Sequence, residues 1–210
     1  RERPAVARRH RTTSTGNSSQ GAAYVFRRQG STWSYEAKLV GGDAGAQRFG
    51  DSVDISGDRA IVGAPSSTGL VAGAGAAYVF TRSGTTWTQQ QKLRGDTASS
   101  QFGVAVAIDG TTVAVGQSQA DPSGHTDQGA AHVYVWDGTT WALQADLLAS
   151  DGAAGDQFGT SVALEGDTVI VGSPLDDFSS LMDRGSAYVF VRSGATWSEQ
   201  QKLSSTVTSA

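Results

Sequence analysis

The sequence predicts an all-β array of blades, each built from four short antiparallel strands, and three observations carry that prediction. One phrase recurs in phase: Gly21-Ala22-Ala23-Tyr24-Val25-Phe26 returns as Gly75-Ala76-Ala77-Tyr78-Val79-Phe80, Gly129-Ala130-Ala131-His132-Val133-Tyr134 and Gly185-Ser186-Ala187-Tyr188-Val189-Phe190, at spacings of 54, 54 and 56 residues. A Thr-Trp pair follows each copy, ending in Trp33, Trp87, Trp141 and Trp197, and six residues after each Trp comes Leu39, Leu93, Leu147 or Leu203. Apolar residues alternate over short runs with no helical period, as strands with one solvated face require. Tight x-Gly turns separate the runs. Self-similarity at this period marks an array whose units cannot bury their apolar faces alone. Four strands with two tight hairpins per unit describe a propeller blade.

The elements follow in order within each unit. The first strand is Phe49-Gly50-Asp51-Ser52-Val53-Asp54-Ile55, with Val53 and Ile55 on one side and Ser52 and Asp54 on the other. Ser56-Gly57 turns the chain, as do Asp109-Gly110 and Glu165-Gly166 in later copies. Glycine accepts the positive φ of such a turn without a Cβ clash. The second strand is Ala60-Ile61-Val62-Gly63, repeated at Val113-Ala114-Val115-Gly116 and Val169-Ile170-Val171-Gly172. The Tyr-Val-Phe phrase is the third strand. It turns at Gln29-Gly30, Ser83-Gly84, Asp137-Gly138 and Ser193-Gly194 into an outer strand running from Trp to Leu. The repeats span 21–204 as a partial blade 21–39 and blades 49–93, 102–147 and 158–203.

The ends bound the reading. Residues 1–20 form an Arg-rich arm and 205–210 a tail. In phase, Arg3 to His10 falls where Asp58 to Pro65 stands, so Ala5-Val6-Ala7 is a degenerate second strand with no Phe-Gly strand before it. Three whole blades and a partial one leave open sheet edges. The expectation is either further blades or self-association to complete a ring.

Composition limits function. The chain has 210 residues, no cysteine and net charge −4. Five of its sixteen basic residues lie in the first eleven positions, so the body carries 11 basic against 19 acidic residues, a balance of −8. An acidic body without a basic stripe argues against nucleic acid as partner. No apolar run reaches the ~18–20 residues of a membrane span, and no signal-peptide core is present. No cofactor is implied. His10, His125 and His132 are scattered, and nothing assembles a nucleophile, base and oxyanion donor, so no catalytic residue is assigned.

Phe49-Gly50 followed by Gly63-Ala64-Pro65 recurs as Phe102-Gly103 with Gly116-Gln117-Ser118 and as Phe158-Gly159 with Gly172-Ser173-Pro174. This pattern resembles the FG-GAP repeat, the blade of integrin α-subunit propellers and of many bacterial extracellular proteins. The resemblance implies a binding or adhesion module at the cell surface or outside it, with a protein or glycan partner. A lectin-like module, or an accessory propeller of a larger secreted hydrolase, are the alternatives. It also implies that the second-to-third and fourth-to-first strand connections form the ligand face. Family members often widen the first hairpin into a calcium loop. Here that hairpin is closed to two residues, and one nearby carboxylate cannot supply the six to eight oxygens that Ca²⁺ takes.

Candidates on or near the ligand face are Trp136, Arg94, Asp96, Asp121, His125, Asp127, Asp176, Asp177 and Phe178. Asp176, Asp177 and Asp183 share one loop and are the nearest approach to a metal cluster, with a solvated loop the plainer reading. Arg94-Gly95-Asp96 spells the tripeptide that integrins recognise. Its counterparts Gly41-Gly42-Asp43 and Ala149-Ser150-Asp151 make the Asp a repeat feature that caps a loop. The four phased tryptophans are assigned to packing between blades. Trp136, where other copies have Arg28, Arg82 and Arg192, is expected as an exposed turn aromatic.

Overall fold

The computed structural model describes residues 4–9, 20–43, 47–177 and 182–204, with residues 4–9 described by their backbone. Blade 1 is a three-stranded sheet of β1 (Pro4–Arg9), β2 (Ala22–Gln29) and β3 (Thr32–Leu39). Blade 2 holds β4 (Val53–Ser56), β5 (Arg59–Ala64), β6 (Ala76–Ser83) and β7 (Thr86–Arg94). Blade 3 holds β8 (Phe102–Asp109), β9 (Thr112–Gln117), β10 (Ala130–Trp136) and β11 (Trp141–Leu147). Blade 4 holds β12 (Ser161–Glu165), β13 (Thr168–Ser173), β14 (Ser186–Ser193) and β15 (Thr196–Ser204). Strands pair in chain order and antiparallel throughout. The all-β reading, with three four-stranded blades and a partial one, is what the structure shows.

Strand β1 pairs with β2 as Ala5↔Phe26, Val6↔Val25 and Ala7↔Tyr24, the register of Ala60↔Phe80, Ile61↔Val79 and Val62↔Tyr78 in blade 2. Blade 1 thus has its second, third and outer strands. Among the described residues it has no innermost one.

The third and outer strands share one irregularity. Their pairing slips between Val25 and Phe26, Val79 and Phe80, Val133 and Tyr134, and Val189 and Phe190. A bulge at a fixed place bends and twists each outer strand the same way, as a propeller's radial stacking needs.

The core lies between blades, in three separate seams. In each, an aromatic face meets an aliphatic one. Phe49, Tyr78, Phe80 and Trp87 of blade 2 pack on Ala23, Val25, Ala37 and Leu39 of blade 1. Phe102, Tyr134 and Trp141 of blade 3 pack on Ile61, Ala77, Val79 and Leu93 of blade 2. Phe158, Tyr188, Phe190 and Trp197 of blade 4 pack on Ala114, Ala131, Val133 and Leu147 of blade 3. Small side chains on one face let the large rings of the next sink to contact, which is how repeats bury area through neighbours.

The Phe-Gly pairs are latches across these seams. Gly21, Gly75 and Gly129 form isolated parallel bridges with Phe49, Phe102 and Phe158 of the next blade. Gly103 sits at φ +87° with its α-carbon so near blade 2 that a Cβ would overlap the Ala76 carbonyl oxygen. Glycine is required there by both angle and space.

The hairpins that could have held calcium link directly instead. The Gly110 N–H donates to Ser56 Oγ at 3.0 Å, and the Gly166 N–H donates to Asp109 Oδ2 at 2.8 Å. The tips of blades 3 and 4 are thus each fastened to the tip before.

A candidate ligand-binding face

The antiparallel order sorts the loops by end. Connections between the first and second and between the third and outer strands lie at one end of every blade. Those between the second and third strands (65–75, 118–129, 174–185), and from each outer strand to the next blade, lie at the other. The 65–75, 118–129 and 174–185 loops differ by one residue in length, so their variation lies in composition. Trp136, before the β10–β11 turn, stands at the opposite end from the other candidates. It is half-buried rather than exposed, its ring tilted against Trp141 at 5.7 Å between centroids. The aromatic that replaces arginine there finds a second ring to lie on.

At the loop end, two blades carry the same clasp. Tyr78 OH donates to Asp43 Oδ1 at 2.7 Å, and Lys92 Nζ meets Asp43 Oδ2 at 2.5 Å. Tyr188 OH donates to Asp151 Oδ1 at 2.8 Å and to Asp176 Oδ1 at 3.0 Å, and Lys202 Nζ lies 2.7 Å from both carboxylates. Each clasp ties a blade's third and outer strands to the loop leaving the blade before. Burial pushes the Asp43 and Asp151 carboxyls up, but the hydrogen bonds from lysine and tyrosine outweigh it and leave both below the usual carboxylate range. Burial and the facing carboxylates push the Tyr78 and Tyr188 hydroxyls well up. The phased Tyr, Lys and Asp were a readable signal that the sequence reasoning did not connect.

Blade 3 departs from this. His132 replaces the tyrosine and Asp146 the lysine. The His132 Nδ1–H donates to Asp146 Oδ1 at 2.6 Å, and Nε2 lies 2.6 Å from Gln117 Oε1. His132 holds the Asp146 carboxyl below its ordinary value. The loop carboxylate is missing to match. Gly41, Gly95 and Ala149 are the buried residues after the outer strands, which puts Thr97, not Asp96, in the place of Asp43 and Asp151. The assignment of Asp96 as their counterpart is therefore off by one. Asp96 is exposed and accepts the Thr97 hydroxyl at 3.1 Å. Arg94 is exposed beside it.

The remaining acidic candidates shape their own loops. Asp121 Oδ1 accepts the Asp127 N–H at 2.7 Å, and Asp177 Oδ1 accepts the Asp183 N–H at 2.9 Å. Asp127 and Asp183 both have positive φ. These are matched side-chain staples across the two loops. Asp176 is buried and turned inward on Tyr188, Lys202 and Ser186. Asp176, Asp177 and Asp183 thus point to different partners, and among the described residues no group of three or more His, Asp or Glu is placed to hold a metal. Asp156 is buried in the adjoining loop. Burial raises its carboxyl, the Ala153 N–H at 2.6 Å opposes this, and the charges of Asp176 and Asp177 add to the rise. His125 is exposed at the end of a short 3-10 turn, Pro122–Gly124. Phe178 lies outside the described residues.

What the sequence reasoning missed is apolar. Val40, Leu70, Val71, Leu148, Leu175 and Met182 are exposed, and all stand at the loop end. Met182 is 78% and Leu70 65% exposed. Exposed acids Asp96, Asp121, Asp177 and Asp183 stand at the same end. No helix of the described residues is long and apolar enough to cross a membrane.

No curated protein matches the chain. The family model for the FG-GAP repeat matches at residues 33–80, 87–134 and 141–190, which is more than half of the sequence. Each match begins on the outer strand of one blade and ends on the third strand of the next, so each sequence repeat spans one seam. The four-stranded blades, the Phe-Gly latches and these three consecutive matches place the chain in the FG-GAP repeat family.

Proposed function

We propose that the chain is a non-catalytic binding or scaffolding module that works outside the cytoplasm and holds a protein partner on its loop end. The observation that carries this is the gathering of exposed aliphatic side chains there, with carboxylates among them. Apolar groups offered at one end of a rigid frame suit a protein surface better than a sugar, whose recognition leans on aromatic platforms. The body's acidic balance favours a partner whose apolar contact residues are flanked by lysine or arginine. Membership of the FG-GAP family, common in extracellular proteins, supports the setting.

The test is to pan a displayed peptide library over the immobilised chain. Enriched peptides pair aliphatic or aromatic residues with basic ones, and their binding is lost in Leu70→Asp combined with Met182→Asp. Trp136→Ala, at the other end, leaves binding intact. Glycan-array binding that disappears in Trp136→Ala would replace this reading with the lectin one.

A further inference from the structure

The two outermost blade faces are the two halves of a seam. Blade 1 turns Tyr24, Phe26, Trp33 and Tyr35 to the side where blades 2, 3 and 4 meet their predecessors. Trp33 is 49% and Tyr35 60% exposed, whereas Trp141 and Trp197 in the same phase are 2% and 9% exposed. Blade 4 turns Ile170, Ala187, Val189 and Leu203 to the side where blades 1 to 3 receive their successors. Ile170 is 41% and Leu203 44% exposed, whereas Leu39, Leu93 and Leu147 in the phase of Leu203 are buried. Among the described residues, all the exposed large apolar side chains outside the loop end but Leu143 belong to these two faces.

Polar groups repeat the match. In every internal seam the tryptophan Nε1–H donates to the side chain three residues after the preceding tryptophan. Trp87 donates to Glu36 at 2.9 Å, Trp141 to Gln90 at 2.9 Å and Trp197 to Gln144 at 2.7 Å. Gln91 adds a two-way grip on the Trp141 backbone, accepting its N–H at 2.7 Å and donating to its carbonyl at 3.0 Å. In blade 4 the corresponding residues are Gln200 and Gln201, both exposed. Its outer strand, Trp197-Ser-Glu-Gln-Gln-Lys-Leu, repeats the blade 2 strand, Trp87-Thr-Gln-Gln-Gln-Lys-Leu, at the residues that make these bonds.

We propose that a second copy of this chain docks head to tail, the aromatic face of its blade 1 on the aliphatic face of blade 4. Trp33 of one copy sits over Leu203 and Ile170 of the other, held by Gln200 and Gln201 as Gln90 and Gln91 hold Trp141. The contact uses the outer strands, because blade 1 has no Phe-Gly strand to latch on Gly185 among the described residues. The pairing is heterologous, and two copies of these four blades related by a two-fold axis can make it twice and so close on each other. This surface is separate from the loop end, so either proposal can fail without the other.

Sedimentation velocity over a concentration series tests it. The wild-type chain is expected to pass from one mass to about twice that mass. Trp33→Asp and Leu203→Asp alter half-exposed side chains, so each variant keeps the wild-type far-ultraviolet circular dichroism while remaining monomeric. Mixed in equal amounts, the two variants regain a dimer, because each brings the intact half that the other lacks. Species larger than a dimer in the wild type would mean that the same contact does not close, and would leave the docking itself supported. A wild-type chain that stays monomeric at every concentration overturns the proposal. So does a mixture that fails to pair, or a dimer that survives both substitutions.

Discussion

Four tryptophans occupy one phase of the repeat, yet their surroundings grade them. Trp141 is buried in the seam with blade 2 and keeps its Nε1–H on Gln90. Trp87 is half-buried with its Nε1–H on Glu36, which also receives Arg82 at 2.7 Å. Trp33 has Arg28 over its ring at 5.9 Å and, among the described residues, no blade packed on it. Replacing Trp141 by alanine should cost ~3–5 kcal/mol in urea unfolding. Trp87→Ala should cost less, and Trp33→Ala about 0.5 kcal/mol or less under monomeric conditions. Equal losses at all three positions would contradict the seam assignment.

Charge at single residues sets opposite pH responses. Glu36, Asp43, Asp146 and Asp151 all have folded pKa values below the ordinary range. Their contribution is complete above the unfolded carboxylate value and fades as pH falls through the folded one. Melting temperature should therefore drop steeply on acidification below the ordinary carboxylate range. Asp156, raised by burial and by its acidic neighbours, runs the other way, favouring the fold when protonated. Asp156→Asn keeps an acceptor for the Ala153 N–H and removes the buried charge. It should raise the melting temperature near neutrality, and that gain should vanish at acid pH. A loss near neutrality would show that the ionised carboxylate is needed.

At the scale of strands and turns, the repeat was legible and the reason is physical. Period-two apolar runs and x-Gly turns reflect local backbone demands, so the four-strand unit and its hairpins could be read directly. Ala5-Val6-Ala7 could be placed as a strand because it stands 21 residues before Phe26, within one of the 20 that separate Ala60 from Phe80. Long-range contacts were harder. The Tyr188, Lys202 and Asp151 clasp joins residues far apart in sequence, and a one-residue shift between Asp96 and Thr97 changes which side chain faces inward. Trp136 was misplaced because exposure was inferred from its turn, when the decisive neighbour was Trp141. The loop-end aliphatics were overlooked because single apolar residues in loops carry no period. The Phe-Gly latch is the element on which most depends. Gly103→Ala forces a side chain to φ +87° and into the Ala76 carbonyl oxygen. It should cost about 3 kcal/mol or more, whereas Gly84→Ala, whose Cβ would meet nothing within 4 Å, pays only for its φ of +63° and should cost about 1 kcal/mol. Chemical denaturation of the two variants compares them directly.

For the molecule as a whole, stability is distributed over three seams instead of one centre. The hairpin tips are joined by Ser56, Asp109 and their neighbours' amide groups, with no widened loop for an ion. Melting curves in EDTA and in millimolar calcium should coincide. A shift of many degrees would reveal a site, and the Asp176–Asp177 loop would be the first place to look. Seam-by-seam stability also predicts that a defect such as Gly103→Ala disturbs its two flanking blades more than blade 4. Amide hydrogen exchange would show that gradient.

Each sequence repeat begins on the outer strand of one blade and ends within the next, so the heritable unit is a joint and not a blade. Duplicating residues 87–140 in frame, one full period of the repeat, would add a finished junction with its own Phe-Gly closure and its own tryptophan clip, and would require no new surface to be invented. Cutting at blade borders would instead separate each tryptophan Nε1–H from its acceptor. Genes of this kind can therefore lengthen or shorten by recombination between copies while each product remains foldable, and ring size becomes a quantity that unequal crossing-over can tune.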